Sequence, residues 1–296
     1  MTQNVAFIGL GAMGTPMATR LASEFDVSVY DIAEERVSSL ASHGARGAAS
    51  PADAARDADV IVLMVVNGEQ ASAALFGEDG AASAAVEGAR VVVTSTIGPE
   101  PVRALGEELA ARNLKLVDAP VSGGVARAEK GDLLIMVGTA KEDFDAVGDV
   151  LRTVGSSVVH CGESIGDGQS VKLVNQLLCG VHIAVAGEAL AYATALGLDP
   201  ATVHETIRTG AAGSFMFDDR GTRMVERAFE DPKSALNIFV KDLGLVLDAA
   251  GERHFPTPLT MAASQLFMMG AAQGMGTEDD SGILRVFEQW IDTEGQ

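Results

Sequence analysis

Seven short runs of β-branched and apolar residues punctuate the first half of this chain, separated by stretches of helical character. The runs are "NVAFIGL", "DVSVYD", "VIVLMVV", "RVVVTST", "LKLVDAP", "LLIMVG" and "SSVVHCG". Most are apolar through their centres, the pattern of strands covered on both faces. The connecting stretches "AEERVSSLASHG" and "PEPVRALGEELAARN" set apolar residues at helical spacing against polar faces. Strands alternating with helices predict a parallel, doubly wound α/β sheet over residues 1–163. Beyond "HCGESIGDGQ" that rhythm stops. Helical patterns broken by "GLDP", "TGAAGS", "EDPKS" and "HFPTP" follow without a further strand, so residues 164–296 are expected to form an all-α domain. The stretch from Ser170 to Leu196 is apolar on most sides and predicts a long central helix packed by both domains.

The first strand runs directly into "GLGAMG", which places Gly9, Gly11 and Gly14 in the spacing G-x-G-x-x-G, with Leu10, Ala12 and Met13 between them. The first glycine allows a tight turn, the second lets a pyrophosphate approach the backbone, and the third permits close packing of helix on strand. Amides at the start of the following helix then face the phosphates. Such turns are common, but this one follows a strand, precedes a helix and is succeeded by a second strand ending in Asp31. That context makes it a dinucleotide-binding fingerprint. Asp31 stands about 20 residues beyond the loop, where a carboxylate accepts from ribose hydroxyls and repels a 2′-phosphate. Ile32 to Glu35 add no positive charge and Arg36 comes a turn later, so NAD is favoured over NADP. The alternative is a solvated acid that merely closes a strand.

Lys172, Asn175, Cys179 and His182 share one strip of the predicted central helix, beside an apolar stripe of Val171, Val174, Leu178, Val181 and Val185. An ammonium there must either snorkel to solvent along its stem or sit in a polar cleft. "DAPVSGG", at the carboxyl end of a strand, offers the Ser122 hydroxyl and the unobstructed amides of Gly123 and Gly124. These suit a carboxylate, although a plain loop has the same composition. An amine, a carboxylate cradle and a dinucleotide loop together describe the dehydrogenation of a hydroxy acid. His182 and Cys179 read as core or cleft-wall residues, Glu188 as an internally hydrogen-bonded acid, the methionines of "FMMG" and "GMG" as packing, and "TEDDSG" as a solvated helix start.

The net charge of −20 repels phosphate backbones and anionic lipids, and no basic patch offsets it, so neither a nucleic-acid nor a membrane partner is expected. No run of about 18 apolar residues lacks a polar interruption. The two cysteines, Cys161 and Cys179, show neither metal-ligand nor disulfide spacing, which fits a reducing cytoplasm and no metal.

"FIGLGAMGTPMA", "DAPVSGG", "GDGQSVKLVNQ" and "FVKDLGLVLDAA" resemble, in order, the four signatures of the β-hydroxyacid dehydrogenase family, and they span nearly the whole chain. The resemblance implies an N-terminal Rossmann-type sheet, a C-terminal all-α domain joined by one long helix, a nicotinamide cofactor and a homodimer or homotetramer. It also implies that Lys172 is the catalytic lysine, that Asn175 holds the substrate, and that Ser122, Gly123 and Gly124 form the substrate loop. Thr96, in "TSTIG", falls where relatives have the threonine beside the nicotinamide, and Lys241, in "VKDLG", matches the lysine that closes the cofactor cleft. Val65 lies in the loop after the fourth strand, Met64 to Asn67, which departs from the family by lacking a proline. "NQLLCGVHIAVAGEAL", "AAGSFMF", "SALNIFVKDLG" and "GMGTEDDSGI" are most similar to the L-threonate dehydrogenase branch, and Gln176 stands where 3-hydroxyisobutyrate enzymes carry a second asparagine. The expected reaction is oxidation of L-threonate. The same chemistry on 3-hydroxyisobutyrate, a tartronate or succinic semialdehyde reductase working in reverse, and a non-catalytic dinucleotide module are the alternatives.

Overall fold

The computed structural model describes residues 3–291, and contacts divide the chain into two compact units, Met1–Lys172 and Leu173–Gln296. Among the described residues the first unit holds nine strands: β1 (Asn4–Ile8), β2 (Asp26–Tyr30), β3 (Arg46–Gly47), β4 (Val60–Leu63), β5 (Arg90–Val93), β6 (Lys115–Asp118), β7 (Val121–Ser122), β8 (Leu134–Gly138) and β9 (Ser157–Gly162). Its helices are α1 (Gly14–Ala22), α2 (Glu34–Ala41), α3 (Pro51–Ala55), α4 (Gly68–Phe76), α5 (Pro99–Ala110), α6 (Gly124–Lys130), α7 (Lys141–Ala146) and α8 (Gly148–Val154). All strands join one sheet in the order β3-β2-β1-β4-β5-β6-β8-β7, with β9 paired to β8. The seven runs read as strands are all strands. The additional β3 and β7 are two residues long, too short to show any periodicity.

Pairing is parallel except where β8 meets β6 and β7, which it does antiparallel, so the sheet is not wholly parallel as expected. Strand side chains point alternately to opposite faces. Val5, Phe7, Val60, Val62, Val92 and Val117 therefore pack with Met17 and Leu21 of α1 and Val150 and Leu151 of α8. Ala6, Ile8, Ile61, Leu63, Val91 and Val93 pack on the other face with Ala71 and Leu75 of α4 and Val102, Leu105 and Leu109 of α5. β2 and β9 are exceptions to double burial: β2 alternates buried with less covered residues, and β9 is only partly covered.

Helix α9 (Asp167–Ala195) runs from the end of the first unit into the second, followed by α10 (Pro200–Ile207), α11 (Phe215–Glu226), α12 (Leu236–Glu252), α13 (Pro258–Ala272) and α14 (Leu284–Glu288). By length and composition alone α9 could cross a membrane, yet it buries Lys172, Gln169 and Gln176, as a core helix of a globular protein can and a lipid-facing one cannot without cost. The second unit's core is built from Ile183, Leu190, Phe217, Phe239, Leu243 and Phe267 with their neighbours.

The structure corrects the reading of the "TEDDSG" turn. Asp279, Asp280 and Ser281 are fully buried. Arg220 of α11 grips Asp280 with Nε and Nη2 at 2.9 and 3.0 Å, Arg223 reaches Asp279 at 2.7 Å, and Asp279 also accepts from the Lys233 N–H at 2.9 Å. The turn is a buried ionic clasp that ties α11 to the segment leading into α12. Glu188 is exposed rather than internally bonded as expected. Of the methionines read as packing, Met269 and Met275 do pack in the second unit's core, whereas Met268 is 48% exposed.

Candidate active site

Parallel pairing sends the carboxyl ends of β1, β4, β5 and β6 to the same edge of the sheet. The segments that follow them carry Gly9–Gly14, Val65, Thr96 and, in the short strand β7, Ser122. The order reverses at β1, whose neighbours are β2 and β4, and such a switch point is where open α/β sheets bind ligands.

At the first loop, a Cβ on Gly14 would sit 1.9 Å from the Gly9 carbonyl oxygen, so only glycine lets α1 start this close to β1. A Cβ on Gly11 would meet nothing within 4 Å, which leaves its backbone open to a phosphate group. Leu10 is buried in the core, and its N–H donates to Asp31 Oδ2 at 2.6 Å. Asp31 Oδ1 accepts from the Ala33 N–H at 2.9 Å and lies 3.4 Å from Arg36 Nη1. The strand-end acid thus braces the glycine loop from beneath, and an arginine stands beside it. Ala12 and Met13 continue the loop into the helix, with Met13 at its N-cap position.

The Val65 N–H donates to Ser95 Oγ at 2.8 Å, which couples the loops after β4 and β5. Thr96 is half-buried between Ser95 and Ile97, and both of those backbones are gripped by Gln169. Gln169 Oε1 accepts from the Ile97 and Gly98 amides at 3.0 Å each, while Nε2 donates to Ser95 O at 2.9 Å and Asp118 Oδ1 at 3.0 Å. All four hydrogen-bonding positions of that carboxamide are filled inside the protein. Asp118 Oδ2 in turn accepts from the Gly166 and Gln169 N–H groups at 3.0 and 2.9 Å, so a carboxylate at the end of β6 caps the start of α9. Burial pushes the Asp118 carboxyl up to about 6, against the opposing pull of these donors.

Sequence reasoning singles out neither Asp118 nor Gln169. The signals exist: an acid closing a strand within "DAPVSGG", and a carboxamide one turn before Lys172. Ser122 forms the second residue of β7, opposite Leu134. Gly123 follows at φ +145°, a backbone state that side chains rarely adopt, and Gly124 opens α6.

On α9, Lys172 is 5% exposed, which excludes a lysine snorkelling to solvent. Asn175, Cys179 and His182 of the same strip are half-buried. Contrary to expectation, the apolar stripe is the uncovered one: Val171, Val174, Leu178 and Val185 are 41% to 61% exposed. Asn175 Nδ2 donates to Gln176 Oε1 at 2.8 Å and to Cys179 Sγ at 3.5 Å. The Gln176 Nε2 donates to Asp242 Oδ2. The other oxygen of Asp242 lies 2.6 Å from Lys241 Nζ, an ion pair without hydrogen-bond alignment. A lysine and an asparagine one turn apart can move a proton and hold a polar ligand, and the open glycine loop can take a dinucleotide.

Residues 4–162 match a family model described as the NAD binding domain of 6-phosphogluconate dehydrogenase. Residues 166–287 match one described as the NAD-binding region of NADP-dependent 3-hydroxyisobutyrate dehydrogenase. An L-threonate dehydrogenase of Cupriavidus necator is 42% identical over 97% of each chain. A crystal structure of 3-hydroxyisobutyrate dehydrogenase from Salmonella typhimurium superposes with a TM-score of 0.89 at 36% identity, over 96% of this chain and 99% of that one. A Mycobacterium tuberculosis 3-hydroxyisobutyrate dehydrogenase with L-serine gives 0.86 at 28% identity, over 96% of this chain and 99% of that one. With a dinucleotide-ready glycine loop, a buried lysine and full-length likeness to these enzymes, the chain belongs to the β-hydroxyacid dehydrogenase family of NAD-binding oxidoreductases, which act on small hydroxy acids.

Proposed function

We propose that this enzyme oxidises the C2 hydroxyl of L-threonate to the 2-oxo acid with NAD. The observation that carries the reading is Lys172, a basic side chain only 5% exposed on a largely apolar helix, one turn from Asn175. The L-threonate assignment leans on the Cupriavidus necator relative and on Gln176 following Asn175.

NAD, when bound, supplies the hydride acceptor. Its phosphates suit the open backbone at Gly11, with Gly9 to Gly14 shaping the loop and Asp31 accepting from the ribose. Val65 and Thr96 would line the nicotinamide side, and Lys241 would contribute from α12. The Ser122 hydroxyl and the Gly123 and Gly124 amides would hold the substrate carboxylate and fix the reacting carbon in place. As the C2 hydrogen leaves with its electron pair, the hydroxyl proton passes to the neutral amine of Lys172. Asn175 holds a substrate oxygen and does not change charge.

A panel of L-threonate, 3-hydroxyisobutyrate and 2-hydroxybutanoate, assayed by NADH absorbance with NAD and NADP, tests the reading. L-threonate with NAD is expected to give the highest kcat/KM. Preference for 3-hydroxyisobutyrate would favour the activity named for the Salmonella structure, and preference for NADP would show that Arg36 outweighs Asp31. Lys172→Ala should lower kcat about 10²–10⁴-fold with NADH binding retained.

A homo-oligomer, dimer or tetramer, is supported by the exposed apolar side chains of α9. Val171, Leu178, Val185 and Tyr192 recur every seven residues, the spacing of a helix seam. A cytoplasmic location is supported by the two free cysteines, Cys161 and Cys179.

A further inference from the structure

Gln169 is fully buried, and the directions of its side-chain hydrogen bonds are forced. Asp118 Oδ1 and Ser95 O can only accept, so the carboxamide NH2 must face them, at 3.0 and 2.9 Å. The Ile97 and Gly98 amides can only donate, so Oε1 must face those, at 3.0 Å each. A flipped carboxamide would set acceptor against acceptor and donor against donor. The start of α9 does not need this side chain as a cap, because Asp118 Oδ2 already accepts from the Gly166 and Gln169 amides. Every one of these side-chain bonds instead leaves the helix that carries it.

The bonds converge around Thr96. One carboxamide holds Ser95 O on one side of that residue and the Ile97 and Gly98 amides on the other, and Ser95 Oγ passes the constraint on to the Val65 N–H. Lys172 stands one helical turn beyond Gln169 on α9. The first turn of α9 is seated tightly, since a Cβ on Gly168 would lie 2.4 Å from Met136 O and 3.0 Å from Asp118 O. All these residues belong to the first unit, which ends at Lys172.

We infer that Gln169 is a positioning residue for hydride transfer: it fixes the loop carrying Thr96 against the turn of α9 carrying Lys172, and so sets the nicotinamide side of the cofactor cleft relative to the general base. This rests on the dehydrogenase function proposed above. The polar atoms of Gln169 are all engaged within the protein, so it acts through these two segments and not on the substrate. A displacement of about 1 Å, even one originating away from the reacting atoms, can cost on the order of 10²-fold in rate. None of the Gln169 bonds reaches Ser122–Gly124 or the Gly9–Gly14 loop, to which the substrate carboxylate and the pyrophosphate are assigned. Its loss should therefore appear in kcat and not in KM or cofactor affinity.

The test compares wild type with Gln169→Met, which has nearly the same shape and makes none of these bonds, on L-threonate with hydrogen or deuterium at C2. In the variant kcat should fall about 10²-fold while KM and NADH affinity stay within about threefold. The deuterium effect on kcat should rise, or stay at full size where hydride transfer already limits wild type. A residue that serves folding alone would lower the melting temperature and leave kcat per folded enzyme at the wild-type value, and that result overturns the inference. So does a loss confined to KM or NADH affinity, or a kcat loss in which the deuterium effect disappears. Should Gln169→Met fail to fold, Gln169→Asn, one methylene too short to reach both Asp118 and residues 95–98, is read by the same outcomes. Should wild type oxidise 3-hydroxyisobutyrate in place of L-threonate, the substrate assignment falls alone and the comparison is made on that acid, deuterated at its hydroxyl-bearing carbon. A wild type that oxidises neither acid overturns the proposed function and this inference with it.

Discussion

Asp118 spends free energy to stay charged at pH 7, because it is fully buried and no cation pairs with it among its hydrogen-bond partners. Its carboxyl ionises near pH 6 in the fold against 3.8 when unperturbed. Between those values the folded state holds the proton more firmly than the unfolded one, so this group's contribution to stability falls as pH rises from about 4 to 6 and is level above. The full effect is about 3 kcal/mol at ~1.4 kcal/mol per pH unit. In Asp118→Asn that slope should vanish, so the variant's melting temperature relative to wild type should rise from pH 4 to pH 7 in calorimetric scans. A parallel pH dependence in both proteins would show that Asp118 is not the group responsible. Asp118 and Gln169 are invisible as a pair in the sequence because about 50 positions separate them and nothing local says that the end of β6 meets the start of α9. Lys172, by contrast, is legible, since a charge inside an apolar helix has few places to go.

Two features belong to whole elements. The clasp from α11 to the 279–281 turn buries two ion pairs, and removing one partner strands the other. Arg220→Met should cost about 3–5 kcal/mol in urea unfolding, because Asp280 would remain buried without its guanidinium. The exposed stripe on α9 gives the second test: Leu178→Glu with Val185→Glu should shift the assembled species toward monomer in light scattering, with the fold kept. Strands are legible from β-branched composition, and α9 from its unbroken helical pattern. What composition cannot reveal is which side of α9 is covered, or that "TEDDSG" is enclosed. Burial is decided by what the rest of the chain lays against a segment, and an acidic turn looks solvated until the arginines facing it are placed.

At the scale of the whole molecule, a net charge of −20 opposes the approach of a carboxylate substrate. Raising ionic strength from about 10 to 150 mM shortens the screening length to about 8 Å and should lower KM for the hydroxy acid by about threefold with kcat unchanged. A KM that rises with salt would mean that a local cationic surface, not the overall field, governs entry. The division of the chain has a practical corollary. Contacts separate the two units between Lys172 and Leu173, in the interior of α9, whereas the family matches part between residues 162 and 166, just ahead of it. A chimera that grafts the sheet of one relative onto the helices of another should be spliced in the short turn before Asp167. A junction at the compact-unit border would instead combine one parent's lysine with the other's asparagine on a hybrid helix, and specificity would be scrambled even where both parents are sound.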